Sequence, residues 1–279
     1  MKNRLYTWIT GIPVILLIPY LFTIIFNGLD TALVNRSPDV ETCLPAVISL
    51  QISPDYELET IKSQAVIART NLYRRIDNNE TLFNILRDMR DTLQRTYEID
   101  FFPSGVYEKA AEDTKGQVLI WQGELKLIPY HQISGGTTRD GEEVFHDKEY
   151  AYLKSVDSSG DKKSPEYLNS SYIAAQQMPK ELTIETRDKA GYIMELSADG
   201  NPLEGEAFRQ GMGLSSANFT VQKIGDKFRF LCKGKGHGLG FSQYGGNELA
   251  KAGSTSQEIL ETYFPGMELQ DINSIFTKK

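Results

Sequence analysis

The chain of 279 residues is poor in the side chains that build metal and redox sites. Its two cysteines, Cys43 and Cys232, stand far apart and at no zinc-like spacing. Its three histidines fall short of a ligand set even if His131 and His146 came together. No metal and no cofactor is therefore expected. The cysteines leave two readings open, a bond formed in an oxidising compartment or two separate buried thiols, and the second is the plainer. An excess of basic charge is also missing. The formal net charge is −7 and the isoelectric point about 5.2, which argues against a nucleic-acid partner. No internal repeat is present, and the composition, 40% hydrophobic and 24% charged, is that of an ordinary globular chain.

One stretch lacks charge altogether. Trp8 to Phe26 is apolar and follows Lys2 and Arg4. About 20 such residues cross a bilayer as a helix, and basic residues on the N-terminal side favour a cytoplasmic start. No Ala-x-Ala pattern marks a cleavage site. The expectation is a retained, single-pass anchor over residues 1–27, a polar tether over 28–41, and one extracytoplasmic domain over 42–279. Pro13 and Pro19 inside the run are tolerated by membrane helices.

Beyond the tether the patterns change along the chain. Thr42 to Leu50 is a compact apolar run that suits a short helix. Ser53-Pro54-Asp55 carries a helix-start signature, and Leu58, Ile61, Ala65, Ala68, Leu72 and Ile76 then share a face. A further helix is predicted from about Thr81 to Tyr97. Residues 117–122, 124–131, 181–186, 191–197, 218–224 and 227–233 read as strands, with Gly225-Asp226 as a hairpin turn. Asp157 to Lys163 reads as a polar loop. Helices return at Asn247–Lys251 and Ser256–Tyr263. The fold class is α+β: after the membrane helix, helices packed on a mostly antiparallel sheet, with short C-terminal helices.

The densest functional signal is Lys235-Gly-His-Gly-Leu-Gly-Phe-Ser-Gln-Tyr-Gly-Gly246. Closely spaced glycines let backbone approach a ligand, and they surround His237, Ser242, Gln243 and Tyr244. A second polar cluster, His131-Gln-Ile-Ser134-Gly135-Gly136-Thr137, follows a predicted strand. His237 is read evenly as a ligand contact or as a packed ring satisfying a loop carbonyl. For His131 the functional reading is favoured, and for Tyr244 the packing one.

Three segments together resemble the family of stage II sporulation protein D and the amidase enhancer. Tyr56 to Thr70 is similar to its E-A-L-K-A-Q-A-V-A-A-R-T helix, Tyr130 to Thr137 to its H-S-x-S-G-G-x-T, and Gly236 to Tyr244 with Tyr263-Phe-Pro-Gly266 to its C-terminal pattern. The likeness extends over roughly Thr42 to Leu269. It implies peptidoglycan glycan strands as ligand, sporulation and cell-wall remodelling as setting, a cell-wall amidase as one partner, and a lytic transglycosylase-like reaction. In that reaction one carboxylic acid protonates the leaving oxygen, and the sugar's own 6-hydroxyl closes a 1,6-anhydro ring in place of water.

The resemblance also exposes what is absent. The family's acid stands eight residues before the Glu of E-A-L-K, and the same step back from Glu59 reaches Gln51. An amide donates a hydrogen bond but has no proton to transfer. The expectation is a membrane-anchored protein that binds glycan through His131, Ser134, Gly135, Gly136, Thr137, His237, Ser242, Gln243 and Tyr244, with Gln51 at the catalytic position and little or no turnover. The rival expectation is an active lytic transglycosylase with a relocated acid, Glu57, Glu59, Glu142 or Glu143. Glu59 also suits a helix N-terminus or a pair with Lys62.

Overall fold

A helix that is apolar on one side needs one neighbour, and one that is buried all round needs several. The second kind organises this protein. In the computed structural model, which describes residues 39–94 and 105–276, the chain begins with helices α1 (Val40–Ser49), α2 (Leu58–Asp77), α3 (Leu82–Gln94) and α4 (Gly105–Asp113). Then come β1 (Gln117–Ile120), β2 (Tyr130–His131), α5 (Gly141–Phe145), β3 (Leu168–Ala174), β4 (Leu182–Arg187), β5 (Ile193–Ala198) and β6 (Asn201–Glu204). The last part holds α6 (Gly205–Gly211), β7 (Phe219–Ile224), β8 (Lys227–Lys233), β9 (Phe241–Ser242), α7 (Gln243–Lys251), α8 (Ser256–Tyr263), β10 (Glu268–Asp271) and α9 (Ile272–Phe276). The charge-free run Trp8–Phe26 and the tether up to residue 38 lie outside the described residues, whereas Val40 and Glu41, read as the end of the tether, already belong to α1. Among the described residues no helix is long and apolar enough to cross a membrane.

Helix α2 is buried almost continuously from Thr60 to Thr70 and packs against α1, α4, α7, α8 and β1. Its Ile61, Ala65, Ala68 and Leu72 face one core with Leu44, Val47, Ile48 and Tyr107, whereas Val66 and Ile67 face another with Leu119, Ile128, Phe241, Ile259 and Tyr263. A separate core under the β-strands holds Ile193, Leu196, Phe208, Phe219 and Phe230.

The α+β class holds, but the expected sheet does not form as one body. Among the described residues the strands make small sheets: β1 with β10, β2 with β9, the triplet β3-β8-β7, and the triplet β4-β5-β6. All pairings are antiparallel except β2 with β9, which run parallel. The predicted hairpin is present, with Ile224 opposite Lys227 and Gly225 at φ 60°. The predicted strand over 124–131 shrinks to Tyr130–His131 because its middle pairs with a helix side chain. Asn71 on α2 donates to the Ile128 carbonyl and accepts its N–H, both at 2.8 Å. Helix α2 starts at Leu58 rather than Ser53. The Ser53 hydroxyl instead accepts the Asp55 N–H at 3.2 Å in a local turn, and the Glu57 N–H goes to Asn247 at 2.8 Å. Helix α4 and strand β3 had no counterpart in the sequence reading. No disulfide joins Cys43, half-buried on α1, to Cys232, buried on β8.

Arg69 is the largest fully buried side chain. Its guanidinium forms a two-pronged pair with Glu41 on α1, at 2.7 and 2.9 Å, and donates to Thr114 and to the carbonyls of Ala111 and Gln117. One cation thus joins α1, α2, α4 and the start of β1. Replacing Glu41 by alanine strands that charge, and breaking such a pair costs about 3–5 kcal/mol when fully buried. Glu41 is partly exposed, so the expected loss for Glu41→Ala is about 3 kcal/mol in urea unfolding, and a change below 1 kcal/mol would rule out this role.

Candidate functional site

The cleft forms where three distant segments meet. Leu50 and Gln51 follow α1, Tyr130 to Gln132 make up β2 and its exit, and Lys235, Gly236, His237 and Gln243 come from the glycine-rich loop and α7. Arg209 and Ser215 complete a cleft of about 370 Å³. Strand β2 and strand β9 pair over only two residues, Tyr130 with Phe241 and His131 with Ser242. Glycine makes the approach possible. A Cβ on Gly240 (φ +67°) would lie 2.3 Å from the Pro129 carbonyl oxygen, and one on Gly236 (φ +117°) would lie 2.7 Å from the His131 Cβ.

Gln51 sits at the end of a chain of amides whose direction one group settles. The Gln51 backbone carbonyl can only accept, and it accepts from the Gln243 Nε2 at 2.7 Å. The same Nε2 donates to the Gln64 Oε1 at 3.1 Å. Gln64 must then donate its own Nε2, and it does so to the Gln51 Oε1 at 2.7 Å. What remains of the Gln51 side chain is its Nε2, a donor without a proton to give away. Position 51 thus offers a neutral N–H to the cleft it lines.

The two histidines face each other with ring centroids 5.7 Å apart. The His131 Nδ1 lies 3.0 Å from the Leu239 carbonyl oxygen, so it carries the proton and leaves Nε2 as a bare acceptor. Burial pushes the His131 pKa down to about 3, and a second histidine alongside pushes the same way. In His237 the Nδ1 accepts the Leu239 N–H at 3.1 Å. Burial lowers its pKa too, with Arg209 and Arg139 adding to the effect and Glu206 opposing it. Both rings are neutral near pH 7. His237 is packed within its own loop and also lines the cleft.

Among the described residues no carboxylate lines the cleft. Glu59, a candidate acid, is used elsewhere: it accepts the Ser256 N–H at the start of α8 and pairs with Lys62, both at 2.7 Å. That is the helix-terminus and Lys62 pairing role. Glu143 receives the Lys189 N–H, and neither it nor Glu142 or Glu57 lines the cleft. Glu206 is held by Arg209 at 2.7 Å, and Glu166 reaches Lys235 at 3.4 Å.

Of the residues singled out in the sequence, Gln51, His131, His237 and Gln243 come together in the cleft, whereas Ser134, Gly135, Gly136, Thr137, Ser242 and Tyr244 do not line it. The Ser-Gly-Gly turn is a scaffold. The Ser134 N–H goes to Asp161, the Gly136 N–H to the Ser134 hydroxyl, and Gly135 is gripped by the hydroxyls of Tyr192 and Tyr167, each at 2.9 Å. Thr137 bridges to Asp157. Ser242 caps α7 and donates to Asp161 at 2.8 Å. The Tyr244 N–H reaches the Gln132 carbonyl, and its ring lies 5.9 Å from the Lys251 ammonium.

Two buried groups escaped the sequence reading. Asp161, in the stretch read as a polar loop, is fully buried in a short 3₁₀ turn (Ser159–Lys163) and accepts from Ser134, Ser158 and Ser242. Burial raises its pKa, and those hydrogen bonds oppose the rise. Arg139, paired with buried Asp188, donates to the His237 carbonyl, and its N–H donates to the Gly238 carbonyl, fixing the glycine loop. Arg139 lies two residues beyond Thr137 and could have been found by following that motif. Nothing in the sequence around Asp161 marks it.

The histidine pair carries a pH signature. Below 6.5 the unfolded chain protonates His131, while the folded form resists protonation until about 3. This group's contribution is therefore complete above pH 6.5 and is lost as pH falls, by up to about 1.4 kcal/mol per pH unit. His131→Asn keeps a donor for Leu239 and removes the titration. Between pH 7 and pH 5 the native chain should lose roughly 2 kcal/mol more in urea unfolding than the variant, and equal losses would show that His131 is not held neutral.

Sequence comparisons identify relatives. Residues 30–121 match the stage II sporulation protein family. The chain is 25% identical over 264 residues to stage II sporulation protein D of Bacillus amyloliquefaciens, covering 86% of this chain and 76% of that protein. The same figures, over 266 residues, hold for stage II sporulation protein D of Bacillus subtilis (strain 168). The amidase enhancer of Bacillus subtilis (strain 168) is 24% identical over 294 residues, covering 81% of this chain and 40% of that protein. The resemblance read from the motifs is borne out.

Proposed function

We propose, from the match of residues 30–121 to the stage II sporulation protein family, that the chain binds peptidoglycan glycan strands in its cleft without cleaving them. Its setting is cell-wall remodelling in sporulation, outside the membrane, anchored by the apolar run Trp8–Phe26. A cell-wall amidase is the partner this reading favours, given a relative named amidase enhancer. The observation that supports loss of chemistry is the amide at position 51. Gln51 lines the same cleft as His131 and His237, its Oε1 is already taken by Gln64, and no neighbouring side chain in the lining supplies a carboxylic acid.

The chemistry follows from the proton count. Departure of a sugar alkoxide needs a proton delivered as the bond breaks, and a positioned acid contributes about 10²–10⁴-fold. The Gln51 N–H can hydrogen-bond the glycosidic oxygen and stabilise it slightly, but it cannot follow the oxygen into the product. His131 is deprotonated and accepts. Arg209 and Lys235 are engaged in ion pairs with Glu206 and Glu166. The cleft is thus equipped to hold and orient a strand.

The test uses the full chain in detergent with purified peptidoglycan. Muropeptides are analysed by mass spectrometry, and retention on sedimented glycan is measured in parallel. Retention with no 1,6-anhydro ends is expected for the native protein. Gln51→Glu should yield anhydro ends at least about 10²-fold above the native background, because Gln64 already donates to the oxygen that a carboxyl group would keep at that position. Anhydro ends from the native protein would overturn the proposal, as would failure to sediment with glycan.

A further inference from the structure

The triplet β3-β8-β7 has β8 at its centre. Phe230 and Cys232 of β8 face the core beneath, so Lys227, Arg229 and Lys233 share the outer face. The register sets Leu168 opposite Lys233 and Tyr172 opposite Arg229 on one side of this row, and Ile224 opposite Lys227 on the other. These three flanking side chains are 54%, 59% and 45% exposed, so a cation row runs between wet apolar groups. No residue of the three strands is acidic, in a chain whose net charge is −7. Among the described residues none of the three cations makes an ion pair, and Arg229 donates to the Ser170 hydroxyl at 3.2 Å. Lysines on edge strands guard against aggregation, but this row lies on the central strand. The triplet β4-β5-β6 shows the reverse charge, with Glu195 opposite Glu204.

We propose that the outer face of β3-β8-β7 docks on an anionic lipid surface. Both halves of the pattern have a role there. The cations meet phosphate headgroups, each strengthening binding about fivefold. Tyr172, Leu168 and Ile224 enter the boundary between headgroups and acyl chains, where an amphipathic ring is favoured. A soluble polyanion would use the cations and leave the apolar flanks in water, and a second copy would set like charges together. The inference rests on the anchored reading for the presence of a bilayer and adds the face that meets it. Residues 27–38 separate the apolar run from the described domain, and a chain of that length reaches no more than about 40 Å. Strand β8 leads through Gly234 into the glycine-rich loop, so docking also sets how that wall of the cleft stands to the bilayer.

The experiment reconstitutes the full chain into vesicles of phosphatidylcholine alone and of an equal mixture with phosphatidylglycerol, and follows backbone hydrogen exchange by mass spectrometry. With the anionic lipid, β3 and the β7–β8 turn should exchange at least about threefold more slowly, while β4, β5 and β6 stay unchanged. Raised salt should remove the difference. The double variant Lys227→Glu with Lys233→Glu reverses two exposed charges and should abolish it, with circular dichroism unchanged. Should that variant unfold, the salt dependence carries the test. Equal exchange in the two lipids overturns the docking face, as does slowing that survives the double variant. Slowing by soluble polyglutamate in phosphatidylcholine vesicles, equal to that by phosphatidylglycerol, assigns the face to an acidic protein partner and overturns the lipid proposal. A chain that does not incorporate into phosphatidylcholine vesicles overturns the anchor alone. Flotation with the anionic vesicles then reads this face directly, and no flotation overturns it.

Discussion

Helix α2 has to bury its whole circumference while carrying polar side chains on it, and that constraint shapes the rest of the molecule. Gln64, Arg69 and Thr70 each need a partner out of reach of water, and half-buried Asn71 needs one at its edge. Each finds one in a different segment: Gln64 with Gln51 and Gln243, Arg69 with Glu41 and the end of α4, Thr70 with the Leu119 N–H, and Asn71 with the Ile128 backbone. The helix therefore specifies its neighbours as much as it packs against them. A buried polar group in the wrong register would cost a few kcal/mol, a large share of the stability of any domain.

The cleft is one outcome of that specification. Gln64 reaches the loop after α1, and through the amide chain it fixes which atom of Gln51 is left without a partner in that chain. An acid at this position would meet the same donor, so the surroundings suit either residue. The difference lies in a transferable proton. Neutral histidines, a neutral amide and a serine hydroxyl make an uncharged, hydrogen-bonding surface, with Arg209 and Lys235 already paired to Glu206 and Glu166.

Much of this was legible in the sequence. The α2 stripe, the β7–β8 hairpin and α8 followed from periodicity and turn chemistry, His131, His237 and Gln243 from the glycine-rich polar clusters, and Gln51 only from the resemblance to the family. Elements were missed where tertiary partners overrode local preference. Ser53-Pro54-Asp55 looks like a helix start, yet Glu57 and Asn247 move the start to Leu58. Residues 124–129 look like a strand, yet their pairing partner is a side chain on α2. Asp161 could not be recognised because its three serine contacts come from segments up to 81 positions away. The Ser134-Gly135-Gly136-Thr137 and Ser242 positions look like a binding site because polar side chains and glycines cluster there. The same composition serves equally to build a tight, internally bonded corner.

The two-residue pairing of β2 with β9 has a temporal consequence. It is the weld between segments more than a hundred residues apart, and Gln243 follows it immediately. Contacts so distant along the chain close late, because the loop entropy must be overcome before any reward is gained. A nascent chain that has emerged only as far as α5 already contains Gln51 and His131 but has no opposite wall. The polypeptide thus passes through most of its synthesis without this cleft, whose opposite wall arises only in the final quarter of the message.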